Sequence, residues 1–357
     1  MASVFCAIPL NQTVQQLQTN QTFDMKICIV GAGAIGGMLG VKLALGGHDV
    51  TVILRGANLQ AVQQNGLMLI EENGNELLAN PIKATSSISE AGVQDVVILA
   101  VKAHQVAAVA ADLPQIMNSA TRVVTMQNGI PWWYFYKLAG DYSGRPVRAV
   151  DPDGAIAKYI PIDSVIGSVV YPASEVIRPG VIKVTEGNRF TLGEIDGSDT
   201  PSIRAISDAF KAAGFKAPVS MDIRSEIWLK VWGNLSFNPI SALTHATLED
   251  ICLYSPTREL AASMMTEAQA IGEKLGVRFL VSLEKRIAGA QGVGQHKTSM
   301  LQDVEQGRAL ELQALVASVI ELGQITKTPT PTINAVYALA SLLAKNLARH
   351  QATLKIS

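Results

Sequence analysis

Apolar residues run unbroken through Ile27, Cys28, Ile29 and Val30, the pattern of a strand buried on both faces. A glycine-rich turn follows, then helical spacing to about Leu45, closed by Gly46 and Gly47. Residues 50–54 read as a second strand. Residues 96–101 and 123–126 read as later buried strands, with a helical stretch between them to about Met117. Strands and helices in alternation predict a parallel sheet with helices on both faces. Between about 147 and 197 the pattern shortens. Segments 165–171, 180–185 and 189–194 are β-rich and divided by Pro or Gly, so they are expected as hairpins extending the sheet. A helix over 202–213 and a short strand over 217–219 complete that unit. Beyond residue 222 helical spacing dominates, over 223–237, 256–275, 301–322 and 332–348. The fold class is therefore α/β, a doubly wound sheet over residues 25–221 followed by an all-helical domain over 222–350. Residues 1–24, rich in Gln, Asn and Thr and without a positive charge, lack the features of a secretory or mitochondrial presequence and are expected to form a flexible extension.

Composition narrows the classes. The 357 residues suffice for two cores, and 48% apolar with 17% charged describes a packed globular enzyme. A net charge of −1 leaves no electrostatic footprint for nucleic acid or an anionic membrane. No apolar run reaches the ~18 residues of a membrane span. Cys6, Cys28 and Cys252 are odd in number and widely spaced, and the five histidines show no metal-ligand spacing. A metal-free protein of a reducing compartment, the cytoplasm, is expected.

The turn after the first strand reads Gly31-Ala32-Gly33-Ala34-Ile35-Gly36 and opens a helix, the context in which this spacing binds a dinucleotide. Gly31 permits the tight turn, Gly33 lets a pyrophosphate approach the backbone, and Gly36 lets helix and strand pack closely. The amides of Ala34 and Ile35 at the helix start, with its dipole, suit phosphate. A strand end with an acidic residue would favour NAD. Here it reads Val52-Ile53-Leu54-Arg55-Gly56, and Arg55 suits a ribose 2′-phosphate, so NADP is favoured over the reading of Arg55 as a plain surface arginine. Lys102 and Asn128 close the two later strands, where the ligand crevice of such a sheet lies. By position alone each is equally a turn residue, and Asn128-Gly129 is itself a turn signal.

In the helical part, Lys230, Asn234 and Asn238 recur every four residues and share one helix face. Two asparagines on a mostly apolar helix need partners. They suit a carboxylate or hydroxyl, and the lysine can protonate a carbonyl oxygen as hydride arrives at carbon; the bland alternative is a solvated face. No tyrosine is followed four residues later by lysine, which argues against short-chain dehydrogenase chemistry.

Taken together, Gly31-x-Gly33-x-x-Gly36, Arg55, Val101-Lys102, Gln127-Asn128-Gly129, Lys230-x3-Asn234-x3-Asn238-Pro239 and Ser299-Met300-Leu301-Gln302-Asp303 resemble the ketopantoate reductase (2-dehydropantoate 2-reductase) family over residues 25 to 345. The resemblance implies a Rossmann domain plus a helical domain, NADPH as hydride donor, and reduction of a 2-keto acid between them, as in pantothenate synthesis. It implies Lys230 as general acid and Glu311 as the acid that engages the substrate hydroxyl. Asn234, Asn238 and Ser299 would then bind substrate, with Lys102 and Asn128 at the nicotinamide end and Asn128 also touching substrate. A homodimer is compatible with the apolar helical domain. The chain departs from the family pattern at Gln313, Val316 and Ala317 and in the aromatic run Trp132-Trp133-Tyr134-Phe135-Tyr136. If those aromatics reach the cleft, they favour a bulkier acyl group than ketopantoate; if they pack in the core, specificity is unchanged. Two other readings remain, a reductase or dehydrogenase for a different keto or hydroxy acid, including the β-hydroxyacid dehydrogenases, and a non-catalytic NADPH sensor.

Overall fold

The computed structural model describes residues 25–355, and the extension expected over 1–24 lies outside the described residues. The chain begins with β1 (Lys26–Val30), α1 (Ala34–Leu45), β2 (Asp49–Ile53) and α2 (Gly56–Asn65). Three short strands follow, β3 (Leu67–Ile70), β4 (Glu76–Ala79) and β5 (Lys83–Thr85), and then β6 (Val96–Leu99), α3 (Val106–Ala110), β7 (Arg122–Thr125) and α4 (Ala155–Tyr159). The first half closes with β8 (Val165–Val170), β9 (Ala173–Arg178), β10 (Val181–Glu186), β11 (Phe190–Glu194) and α5 (Pro201–Ala212). The main sheet has the order β11-β8-β7-β6-β1-β2-β5, parallel throughout except for β11, which runs antiparallel to β8 at the edge. The chain leaves β1 toward β2 and later returns to the other side with β6. The strand order therefore switches beside β1, and the crevice above the carboxyl ends of β1 and β6 is where such sheets hold ligands.

Alternation along the strands divides the apolar residues between two cores. Ile27, Ile29 and Ile98 face one side, with α1 and α5, while Cys28, Val30, Val97 and Leu99 face the other. The second core continues without a break into the helical half, through Trp228, Trp232, Met264 and Val336.

The expectation that hairpins extend the main sheet holds for β8 and β11 only. β9 and β10 form a separate four-stranded sheet with β3 and β4, in the order β4-β3-β10-β9. Its apolar face, with Leu67, Leu69, Ile182 and Val184, covers α1, and a Cβ on Gly37 would stand 2.6 Å from Ile182 Cδ1. Packing against α1, rather than the main sheet edge, is what buries those alternating residues.

The helical half holds α6 (Ile223–Thr244), α7 (Leu248–Leu253), α8 (Ser255–Lys274), α9 (Leu283–Gly292), α10 (Ser299–Glu305), α11 (Ser318–Ile325) and α12 (Pro331–His350). Asp222 caps α6 by accepting from Ser225 N. The expected stop before Pro239 does not occur: the helix runs on to Thr244 with Pro239 buried inside it. Contacts with α8, α10 and α12 outweigh one missing backbone bond. The single helix expected over 301–322 is broken. α10 ends at Glu305, Gly307 adopts φ +64°, and the chain re-enters a helix through a π-helical turn over Gln313–Ala317 that leads into α11.

Candidate active site

Between β1 and α1 the backbone makes the tight turn that the glycines foreshadow. Gly31 has φ +94°, and a Cβ there would stand 2.5 Å from Val101 Cγ1 and 2.9 Å from Val101 N. A Cβ on Gly36 would stand 2.3 Å from Gly31 O, so helix and turn are pressed together. Gly33 differs: a Cβ there would meet nothing within 4 Å, so no protein atom calls for glycine at this exposed point. A phosphate lying on the backbone does call for it. No side chain at the Gly33 N-cap bonds the start of α1, which leaves the amides of Ala34, Ile35 and Gly36 for a ligand. These residues fit a dinucleotide.

Gly31 N and Ala32 N both donate to Ile53 O, which brings the end of β2 to the turn. Arg55 follows two residues later at the N-cap of α2, exposed. It is placed to meet the adenosine ribose end of a dinucleotide. Lys102 and Asn128 stand just past the carboxyl ends of β6 and β7 and take different partners. Lys102 Nζ lies 2.6 Å from Asp303 Oδ2 on α10 and 3.3 Å from Ala309 O, so its ammonium ties the sheet to the helical half. The same carboxylate receives Arg308 Nε at 2.8 Å. Asn128 turns to Lys230, accepting at Oδ1 from Nζ at 2.6 Å.

A cleft of about 630 Å³ opens between the two halves. Its helical wall is one face of α6, formed by Lys230, Gly233, Asn234, Phe237 and Asn238, a spacing of three and four residues. Ile35 from the glycine turn, Asn128 and Ser299 also line it. Asn238 Nδ2 reaches Ser299 Oγ at 3.5 Å, and Asn234 faces the cleft beside them. Lys230 also donates to Val170 O. Burial lowers the Lys230 pKa to about 8, and the negative charge of Glu311 acts in the opposite direction. An ammonium held between Asn128 and a backbone carbonyl, with its pKa near neutrality, is equipped to give up a proton.

Glu311 is not part of the cleft wall. Its Oε1 accepts from Ala103 N at 3.3 Å, one residue past Lys102. The π-helical turn that follows lies against the Asn128 loop. Ile130 N donates to Ala314 O at 2.9 Å, and a Cβ on Gly129, which has φ +95°, would stand 2.1 Å from that oxygen. Such a turn commonly marks a functional point in a helix. Here it seats the Glu311 segment against the loop that carries Asn128.

The sequence matches two family descriptions, Ketopantoate reductase PanE/ApbA over residues 27–197 and Ketopantoate reductase PanE/ApbA C terminal over residues 222–344. A 2-dehydropantoate 2-reductase of Mesorhizobium japonicum is 54% identical over 321 residues, covering 90% of this chain and 98% of that protein. The chain belongs to the ketopantoate reductase family. Among solved structures, a protein of Ralstonia solanacearum MolK2 provisionally described as a ketopantoate reductase superposes with a TM-score of 0.86 at 42% identity, covering 91% of this chain and 99% of that one. A 2-dehydropantoate 2-reductase of Geobacter metallireducens gives 0.77 at 25% identity, covering 88% and 99%. The Rossmann sheet with a helical domain behind it is the family architecture.

Within this reductase fold the aromatic run does not reach the cleft. Trp132, Trp133, Tyr134 and Phe135 are all buried in the core shared by the sheet and the helical half. Trp133 Nε1 donates to Thr125 Oγ1 at 3.0 Å, and Trp228 Nε1 on α6 donates to Tyr134 OH at 2.7 Å. Arg224 donates to the carbonyls of Tyr134, Tyr136 and Ile195 and pins the loop to α6. The bulk that would have enlarged the acyl pocket is therefore structural. Sequence reading missed Tyr171 and Arg286, which line the cleft from just past β8 and from α9. Arg286 lacks a motif. Its one trace in the sequence is Gly233 on the otherwise bulky face of α6, whose Cβ would stand 2.6 Å from Arg286 Nη2.

Proposed function

We propose that the protein reduces 2-dehydropantoate to pantoate with NADPH, as the reductive step toward pantothenate in the cytoplasm. The observation that carries this is the Lys230 ammonium, with its pKa near 8, in a polar cleft that begins at the glycine turn. The 54% identity to a 2-dehydropantoate 2-reductase across nearly the whole chain selects the substrate from among 2-keto acids. The buried aromatics remove the reason to expect a bulkier one.

The residues divide the work as follows. Gly31, Gly33 and Gly36 open the backbone to the pyrophosphate, the amides of Ala34 and Ile35 bind its oxygens, and Arg55 pairs with the 2′-phosphate. NADPH, when bound, supplies the hydride that goes to C2 of the substrate. Lys230 points its Nζ at the C2 oxygen and transfers a proton to it as the C–O double bond becomes single, leaving a neutral amine. Asn128 keeps Nζ aimed and touches substrate at the nicotinamide end. Glu311, outside the cleft wall and bonded to Ala103 N, holds proton affinity on Lys230 that burial would otherwise remove. Asn234, Asn238 and Ser299 bind the remaining polar atoms. Lys102 acts at the same end by fastening α10 to the sheet through Asp303, which keeps Ser299 over the cleft.

The test is the specificity constant for 2-dehydropantoate beside branched and aromatic 2-keto acids, with NADPH and NADH. The expected result is at least tenfold preference for 2-dehydropantoate and for NADPH. Faster reduction of a larger keto acid would overturn the substrate assignment. Binding of NADPH with no turnover of any keto acid would favour a sensor.

A further inference from the structure

Arg286 sits on α9 and lines the cleft beside Lys230, Asn234 and Tyr171. Its Nε is buried and has no hydrogen-bond partner, and no carboxylate pairs with it among the described residues. The acids near it are engaged elsewhere or stand exposed. Glu226 accepts from Tyr171 OH at 3.1 Å, Glu305 is 2.7 Å from Lys297, and Glu175 and Glu186 are exposed. Burial pushes the guanidinium pKa down, with only the Tyr171 phenol opposing it. A desolvated cation without an acceptor is costly unless a ligand completes it.

The position of the charge is specified from α6. Gly233 stands where a side chain would strike Nη2, so the guanidinium lies against the helix three residues from Lys230, a rise of about 4.5 Å. In a 2-keto acid the carboxylate and the ketone occupy adjacent carbons. A carboxylate bound by the guanidinium therefore lies in the same cleft as Lys230, with the ketone on the neighbouring carbon.

We propose that Arg286 is the anchor for the carboxylate of the 2-keto acid, with Gly233 as the vacancy that sets its position. This rests on the reductase reading of the same cleft. It moves the carboxylate off the asparagines of α6, which then serve the carbonyl and the hydroxyl of the acyl chain. Arg286 binds and orients; it exchanges no proton.

The test compares the wild type with Arg286→Met, Arg286→Lys and Gly233→Ala. One readout is the turnover of 2-dehydropantoate. The second is binding of oxamate, a carboxylate isostere of a 2-keto acid, and of its neutral amide oxamide to the NADPH-loaded protein, followed by cofactor fluorescence. Arg286→Met is expected to raise the KM for 2-dehydropantoate and the Kd for oxamate about 10- to 150-fold, the range for loss of a charged hydrogen bond. Its KM for NADPH should stay within about twofold and its weak affinity for oxamide should not change, because neither ligand presents a carboxylate to this site. Arg286→Lys recovers part of the loss, since it keeps the charge without the fork. Gly233→Ala keeps the charge but displaces it. It should weaken oxamate by a smaller factor at an unchanged melting temperature, and it decides the matter if Arg286→Met does not fold. Oxamate affinity equal in wild type and variants, an equal loss for oxamide, or no oxamate binding by the wild type would each overturn the proposal. If the wild type fails to reduce 2-dehydropantoate yet binds oxamate through Arg286, the anchor stands and the substrate reading falls.

Discussion

The dinucleotide turn is contained in six consecutive residues, from Gly31 to Gly36, while the substrate wall is assembled from Asn128, Val170, Lys230, Arg286 and Ser299, spread over nearly half the chain. The turn works through backbone, and its side chains are small because the ligand or a neighbouring strand occupies their space. The wall works through side chains whose properties depend on which elements close over them. Lys230 is an ordinary lysine in the sequence and becomes an acid of pKa about 8 only once the main sheet and α6 bury it. The first site tolerates change around it but not within it. The second is exposed to any change that shifts one wall against the other.

The largest expected effect falls on the wall. Lys230→Ala should lower turnover by roughly 10²- to 10⁴-fold, as for loss of a general acid, while NADPH titrates with unchanged affinity. A near-normal turnover number at saturating substrate would remove Lys230 from the chemistry and blur the contrast between the sites. On the turn, Arg55→Ala should raise the KM for NADPH by about 10- to 100-fold and leave NADH nearly unchanged, from the loss of a charged hydrogen bond of roughly 1.5–3 kcal/mol. Gly33→Val, whose first side-chain atom would meet no protein atom, should weaken both cofactors at an unchanged melting temperature. Loss of stability in that variant would mean that the protein itself needs the glycine.

The pH profile sharpens the wall further. The acid form of Lys230 is present below about pH 8 and is lost as the pH rises through that value. Log(kcat/KM) for reduction should therefore be level below pH 8 and fall with unit slope above it, with the reverse reaction rising over the same range. Glu311→Gln removes the charge that supports the proton, so the break should move to lower pH. A break that stays in place would separate Glu311 from Lys230. The smallest effect concerns neither site. Tyr134→Phe leaves the Trp228 indole N–H buried without its acceptor and should cost about 1–3 kcal/mol of stability, read by denaturant unfolding. The KM for 2-dehydropantoate should not move, since the aromatic loop lies outside the cleft.

The same contrast governs what could be read from the sequence. The inner strands of the main sheet, α1, and the long helices α8 and α12 were legible because each carries its own period, and α1 its own stop at Gly46. β3, β4 and the edge strand β5 were not, because strands of three or four residues offer too few positions to establish a period, and the burial of β3 and β4 depends on α1 arriving above them. The break after α10 was hidden because 301–322 keeps helical spacing on both sides of it. Only the left-handed backbone at Gly307 and the pull of Asp303 on Lys102 and Arg308 decide the break. In the cleft, Lys230, Asn234 and Asn238 stood out through their shared face. Arg286 did not, because a lone arginine on a short amphipathic helix has the look of a solvated one until Gly233 is found beneath it. The aromatic run pointed equally to pocket or core, and the indole and phenol partners buried with it settled the matter in favour of the core.

The π-helical turn over Gln313–Ala317 makes the chain sensitive to its length at that point. A π turn accommodates one residue more than the α-helix around it, and one residue corresponds to about 100° of helical phase. Deleting a single residue there would let the ladder relax to ordinary α geometry. It would leave α11 in place and swing everything upstream around the axis, carrying Glu311 away from Ala103 and Lys230. Insertions and deletions in this short stretch should therefore be far more damaging than substitutions at its exposed positions such as Gln313. Length there, rather than side-chain identity, is what holds Glu311 against Ala103.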